Sequence, residues 1–225
     1  MMRYLRNKTT ISAQENDVLK ASKVCVVGCG GLGGYSIEML GRVGVGTITA
    51  IDGDVFDETN LNRQLLANEA TIGQSKAMVA QKRMKLVNPE VTVTPINQFL
   101  REENAEALVN GHDVIIDALD EIQTRLLVQG VAEKLSIPFV HGAIAGWYGQ
   151  VSTIFPGERT LNKIYKPHMS SGQEKELGNP SFTPALVSSM QVSEVIKIIL
   201  QRGTLLRNKL LFCNLLEQEY DVIEL

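Results

Sequence analysis

Short apolar runs alternate with longer stretches of helical periodicity through the first two-thirds of the chain. Residues 13–22 carry a short amphipathic pattern that predicts a helix. Lys23-Val24-Cys25-Val26-Val27 is short, apolar and partly β-branched, the pattern of a buried strand. Glycines follow at once, and Leu32 to Val43 has helical spacing. Thr47 to Ile51 predicts a second strand ending at Asp52, and residues 73–87 a helix that Asn88-Pro89 stops. Val91 to Pro95 is a third strand, 101–109 a helix, Asp113 to Asp117 a fourth strand, 121–135 a helix and Pro138 to His141 a fifth strand. Strands alternating with helices imply βαβ units, so the expected fold is α/β, a Rossmann-like mainly parallel sheet with helices on both faces.

After Gly146 the rhythm changes. Gly149 to Phe155, Leu210 to Cys213 and Glu219 to Ile223 predict strands, with one helix at 184–201 between them. Residues 166–183 are polar and rich in Ser, Gly and Pro, as in a surface loop. The C-terminal third is expected to complete the sheet with antiparallel strands, making residues 1–225 a single domain.

Composition narrows the classes. A formal net charge of -3 provides no global electrostatic case for nucleic acid or an anionic membrane. Cys25, Cys29 and Cys213 form no CxxC pair, so neither a zinc site of the usual spacing nor a disulfide framework is expected. That usage fits a reducing cytoplasm. Met1 to Asn7 lacks an apolar signal core, and the apolar stretches read as too short for a membrane span.

The chemistry begins at Gly28-Cys29-Gly30-Gly31-Leu32-Gly33, a G-x-G-x-x-G loop directly between a strand and a helix. Gly28 permits the tight turn, Gly30 lets backbone approach a phosphate, and Gly33 lets the helix pack on the sheet. Backbone N–H groups at the helix start then face a nucleotide. Asp52, 19 residues beyond Gly33, ends the next strand, where a carboxylate accepts ribose hydroxyls. The motif alone leaves NAD, FAD and ATP open.

Cations further along favour a triphosphate. Asn60-Leu61-Asn62-Arg63-Gln64 is followed by Lys76 at a helix start. Arg63 offers a planar fork to phosphate and Lys76 a point charge. Asp120, just past the fourth strand, is a candidate magnesium ligand, since Mg²⁺ commonly takes one or two carboxylates plus phosphate oxygens. Each has a plainer reading: Arg63 as a solvated charge, Asp120 as a cap on the helix near Glu121. Lys76 at a helix N-terminus opposes the dipole, which makes a purely structural role odd.

With these motifs in this order, the sequence resembles the HesA/MoeB/ThiF family, bacterial relatives of ubiquitin-activating enzymes. The resemblance runs from Arg3-Tyr4-Leu5-Arg6 to about Gln150 and resumes weakly near Met190. It is carried by the glycine loop, Gly44-Val45-Gly46, Ile51-Asp52-Gly53-Asp54-Val55, Asn60 to Gln64, Gly73-Gln74-Ser75-Lys76 and Asp117-Ala118-Leu119-Asp120. It implies ATP-dependent adenylation of the C-terminal carboxylate of a small ubiquitin-like sulfur-carrier protein ending in Gly-Gly. It further implies that Asp52 holds the ribose, Arg63 and Lys76 contact phosphates, and Asp120 serves magnesium. Asn60, Gly31, Asp54 and Gln64 are then counted with the nucleotide site, and Arg6 reaches the neighbouring subunit's site in a homodimer.

Departures from the family pattern are also plain. Residues 156–183 hold no cysteine, so a covalent carrier–enzyme intermediate is not expected, and Cys213 reads as core. Glu121 stands where many relatives have Asn. His141, ending the fifth strand, reads as a core or edge histidine at least as well as a cleft residue, and His112 and His168 carry no catalytic reading. Three alternatives are weighed: a tRNA threonylcarbamoyladenosine dehydratase of the same superfamily; an NAD(P)-dependent oxidoreductase, which leaves Arg63, Lys76 and Asp120 unexplained; and a non-catalytic relative that binds the carrier protein as a scaffold, which the intact nucleotide residues disfavour.

Overall fold

In the computed structural model, which describes residues 2–7, 9–166 and 174–225, the strands are β1 (Lys23–Val27), β2 (Thr47–Ile51), β3 (Thr92–Ile96), β4 (Val114–Asp117), β5 (Phe139–Ala145), β6 (Tyr148–Ile154), β7 (Lys209–Asn214) and β8 (Glu219–Glu224). They form one sheet in the order β3-β2-β1-β4-β5-β6-β7-β8. From β3 to β5 every pairing is parallel, and from β5 to β8 every pairing is antiparallel. The helices are α1 (Ala13–Ala21), α2 (Gly31–Val43), α3 (Lys76–Val87), α4 (Ala105–Val109), α5 (Ile122–Leu135), α6 (Leu161–Ile164), α7 (Glu174–Leu177) and α8 (Phe182–Leu200).

Strand alternation sends neighbouring side chains to opposite faces. Val24 and Val26 join a core with Ile37 and Leu40 of α2 and Val187 and Val195 of α8. Cys25 and Val27 join a second core with Ile122 and Val128 of α5 and Leu161 of α6. Both faces of the parallel strands are therefore covered, which explains why β1 reads as a continuous apolar run. Each fully buried aliphatic side chain contributes on the order of 1.5–3 kcal/mol. Cys213 of β7 is fully buried beside Met190 of α8.

Local chemistry sets the element ends. Ser12 and Glu15 form a reciprocal capping box at α1. Gly44 closes α2 at φ 100°, which a side chain would strain. The helix expected from residue 73 starts at Lys76, because Ser75 caps it and Ile72 and Ser75 bridge to Phe56 and Val55. The helix expected at 101–109 shortens to α4, because Asn104 accepts the Arg101 N–H and holds a turn. The segment 166–183 is not all loop: it includes α7 and the start of α8, while His168 lies outside the described residues.

One expectation needs correcting. α8, 19 residues long with mean hydropathy 1.2, is long and apolar enough to cross a membrane. Its buried side carries Thr183, Val187, Ser188, Gln191 and Val195, and it packs on α2, β5 and β6. Ser188 donates to the Leu32 carbonyl and Gln191 to the carbonyls of Asp117 and Val140. These are the contacts of a core helix.

A Cβ on Gly33 would lie 1.8 Å from the Gly28 carbonyl oxygen, a backbone atom that cannot move aside. Gly33→Ala is expected to cost roughly 3 kcal/mol or more of stability, measured by chemical denaturation. An unchanged midpoint would contradict this packing.

Candidate functional site

β1 and β4 are adjacent, but the chain leaves β1 toward β2 on one side and β4 toward β5 on the other. Such a reversal of strand order opens a crevice beyond the carboxyl ends of the strands. Here it is a cavity of about 360 Å³, bordered by the glycine loop, the ends of β2 and β4, and the segment after β3.

Gly28 has φ 96°, and a Cβ there would meet the Ala118 carbonyl oxygen at 2.4 Å. The turn after β1 thus lies directly on the turn after β4. Gly30 caps α2 and Gly31 begins it, so the open N–H end of that helix borders the cavity.

Asp52 accepts the Cys29 N–H at 2.7 Å through Oδ2 and the Asp54 N–H at 2.8 Å through Oδ1. Each oxygen keeps one lone-pair direction for a further donor. Burial pushes the Asp52 carboxyl above its ordinary range, against the two N–H bonds and Lys76, which pull it down.

Lys76 is 8 % exposed and starts α3, where both burial and the helix dipole oppose a cation. Its ammonium pairs with Asp54 Oδ2 at 3.2 Å. Arg63 donates to the Thr59 carbonyl at 2.8 Å and to Asn62 Oδ1 at 2.9 Å, so its own loop orients the guanidinium. Asp120 is exposed, and its carboxylate has no hydrogen-bond or ion-pair partner among the described residues. The residue that caps α5 is Glu121, with no side-chain cap bond, so the capping alternative for Asp120 is not what the structure shows.

Three expected residues do not border the cavity: Gly33, Asn60 and Arg6. Gly33 serves close packing on the Gly28 turn. Asn60 is buried, and its side chain accepts from the Asp57 N–H and donates back to the Asp57 carboxylate. Its carbonyl accepts the N–H groups of Arg63 and Gln64, so it shapes the turn carrying both. Arg6 is exposed within a 3₁₀ turn, Met2–Asn7. Tyr4 of that turn packs on Gly44, and Arg3 donates to the Val87 carbonyl, both at the amino ends of strands. Arg6 therefore sits at the end of the sheet opposite this chain's own cavity.

Other bordering residues escaped the sequence reading. Gln98, Phe99 and Leu100 follow β3, and Gly53 must lack a side chain because Phe99 would meet its Cβ at 2.7 Å. Asn179 borders from the segment before α8, and its carbonyl accepts from Asn62 at 3.2 Å. Arg125, on α5, is a buried cation with an edge on the cavity. No motif marked it. His141 is fully buried, with Nδ1 2.6 Å from Asp117 Oδ2, and burial lowers its pKa. It is a core histidine. His112 bridges Thr49 and the Val109 carbonyl.

Arg63 and Lys76 set cationic side chains on the cavity beside the carboxylates of Asp52, Asp54 and Asp120. Asp52 has acceptor capacity left for ribose, and Phe99, Leu100 and Leu119 supply apolar wall. The donor set fits a nucleoside triphosphate, and the exposed Asp120 carboxylate fits a hard divalent cation beside it.

A family model described as "ThiF family" matches residues 4–225. The chain belongs to the ThiF family. SAMP-activating enzyme E1 of Haloferax volcanii is 33% identical over 208 residues, covering 91% of this chain and 77% of that protein. Sulfur carrier protein adenylyltransferase of Thermus thermophilus is 33% identical over 219 residues, 93% of this chain and 81% of that one. tRNA threonylcarbamoyladenosine dehydratase of Haemophilus influenzae is 41% identical over 128 residues, 56% of this chain and 49% of its own length. The crystal structure of E. coli MccB with ATP superposes with a TM-score of 0.84 at 21% identity, over 99% of this chain and 71% of that one, and shares the fold.

In this ThiF-family site a raised Asp52 pKa has a sign that can be tested. If Asp52 holds the ribose, its ionised form is the acceptor, so nucleotide affinity is expected to fall as pH drops from neutrality toward the ordinary carboxylate range. Asp52→Asn should weaken binding about tenfold and remove that pH dependence, as read by calorimetric titration. Equal pH profiles for both proteins would exclude the role.

Proposed function

We propose that this ThiF-family adenylyltransferase transfers the adenylyl group of ATP to the C-terminal carboxylate of a small ubiquitin-like sulfur-carrier protein ending in Gly-Gly. The observation that carries the proposal is the gathering of Arg63, Lys76 and the Asp120 carboxylate around the switch-point cavity that Asp52 also lines. The names of the Haloferax and Thermus relatives support the substrate class.

Asp52 orients the ribose. The N–H end of α2, Arg63 and Lys76 hold the phosphates, with Lys76 exchanging its Asp54 partner for phosphate oxygen. Asp120 would hold a magnesium ion, which neutralises phosphate charge when bound. A carrier carboxylate oxygen attacks the α-phosphorus, a new P–O bond forms, and the bond to pyrophosphate breaks. Negative charge grows on the phosphoryl oxygens as this happens, and cations already in place stabilise it without reorganisation. Fixing both reactants in one crevice lowers the remaining barrier.

The family resemblance assigns Arg6 to the site of a second copy in a homodimer, and its place at the end of the sheet away from its own cavity is compatible with that. A second reading is a threonylcarbamoyladenosine dehydratase, favoured by the 41% identity to the Haemophilus enzyme and opposed by the net charge of -3.

Pyrophosphate exchange should depend on a Gly-Gly carrier and not on tRNA; the reverse dependence would select the dehydratase. Arg63→Ala and Asp120→Ala should each lower exchange by roughly 10²–10³-fold with the fold retained by circular dichroism. Full exchange in either variant removes its assigned role. Mixing Arg6→Ala with Asp120→Ala protein should restore part of the activity that each lacks alone, because mixed dimers contain one intact site. Absence of any recovery after subunit exchange would count against the shared site.

A further inference from the structure

Behind the cavity wall lies a buried polar cluster that the proposed chemistry leaves unused: Asp117, Arg125, His141, Gln150 and Tyr165. Its members come from β4, α5, β5, β6 and the end of α6. Asp117 and His141 are fully buried, Arg125 is 5 % exposed and Tyr165 is 7 % exposed. Placing so many polar groups out of water is costly unless they satisfy one another and fix something.

The bonds converge on one turn. Arg125 Nη2 donates to the Leu119 carbonyl at 2.5 Å, Nη1 donates to the Tyr165 hydroxyl at 2.7 Å, and Nε faces Asp117 Oδ2 at 3.6 Å. Asp117 Oδ1 accepts the Leu119 N–H at 3.0 Å. Both peptide groups flanking Leu119 are thereby held, one through its N–H and the other through its carbonyl. The residue whose N–H shares that second peptide group is Asp120.

The rest of the cluster holds Asp117 and Arg125 in turn. His141, whose charged form burial disfavours, donates Nδ1–H to Asp117. Gln150 donates to His141 Nε2 at 3.1 Å and to the Tyr165 hydroxyl at 3.0 Å. Gln191 of α8 donates to the Asp117 carbonyl at 2.7 Å. The Asp117 carboxylate is the counterion of Arg125, so the guanidinium cannot swing into the cavity without stranding a buried negative charge.

We infer that Arg125, held by Tyr165 and the Asp117–His141 pair, is a positioning residue that fixes the peptide carrying Asp120 and so sets the place of the metal-binding carboxylate. Asp120 itself has no partner among the described residues, so its direction comes from its backbone. A carboxylate on a loose turn loses metal affinity to the entropy of ordering it, and groups that orient a metal ligand act on that affinity. This inference rests on the assignment of Asp120 to the metal.

The test measures metal binding and nucleotide binding apart, in the whole protein without carrier. Mn²⁺ affinity of the ATP complex is read by electron paramagnetic resonance, and ATP affinity without metal by calorimetry. Tyr165→Phe removes one hydroxyl, and Arg125→Lys keeps the charge but cannot span both Tyr165 and the Leu119 carbonyl. Both should lower Mn²⁺ affinity about tenfold while metal-free ATP affinity stays unchanged. Tyr165→Phe decides the matter should Arg125→Lys fail to fold. Asp120→Asn is the reference and should lower Mn²⁺ affinity at least as far, read as a larger resonance from free Mn²⁺. Wild-type Mn²⁺ affinity in Asp120→Asn would sink the metal assignment and this inference with it. Loss in Asp120→Asn with wild-type affinity in Tyr165→Phe would overturn the positioning role alone. A fall in metal-free ATP affinity matching that for Mn²⁺ would also overturn it, as that is the mark of general structural damage.

Discussion

Two turns meet with almost no space between them at the carboxyl end of the sheet. The backbone after β1 passes so near the backbone after β4 that a single carbon on Gly28 would overlap the Ala118 carbonyl. That contact places the start of α2, the carboxylate ending β2 and the Asp120 turn around one crevice. Strand order creates the opening, but the missing side chains at Gly28 and Gly33 let its walls approach. Any residue with a Cβ at either position forces the turns apart.

Charge in the crevice is managed by pairing instead of by solvent. Lys76 is buried at a helix N-terminus, an unfavourable place for a cation on two counts, and the pairing with Asp54 offsets this. Arg63 is oriented by the Thr59 carbonyl and the Asn62 side chain, leaving the planar fork preset. Asp52 spends one lone pair of each oxygen on the loop itself and retains one for a ligand. Cations and carboxylates thus share the crevice wall, with Arg63 and Lys76 facing the same space as Asp52, Asp54 and Asp120.

The antiparallel half of the sheet has a function beyond closing the fold. β5 and β6 bring His141 and Gln150 under the Asp120 turn, and α8 sends Gln191 to the same strand end. Parallel strands supply the nucleotide crevice, while antiparallel strands supply the polar support behind one wall of it. α8 is apolar enough to suggest a membrane segment, yet its hydrophobicity belongs to this interior position between α2 and the sheet.

The parallel strands, the glycine loop and two of the cations bordering the crevice, Arg63 and Lys76, were legible in the amino-acid order, because each leaves a local mark. Alternating periodicity marks βαβ units, Gly28 to Gly33 marks a phosphate turn, and Lys76 at a helix start marks an unusual charge. The register of α3 and α4 was not legible, because side-chain caps from Ser75 and Asn104 outweigh periodicity at helix ends. Nor were Arg125, Phe99 and Asn179, which come together only when segments far apart in the chain close on the crevice. Asn60 lay in the right motif but acts one step back, since burial turned its amide toward Asp57. Local sequence determines which groups a turn can offer; long-range packing decides which of them water and ligand can reach.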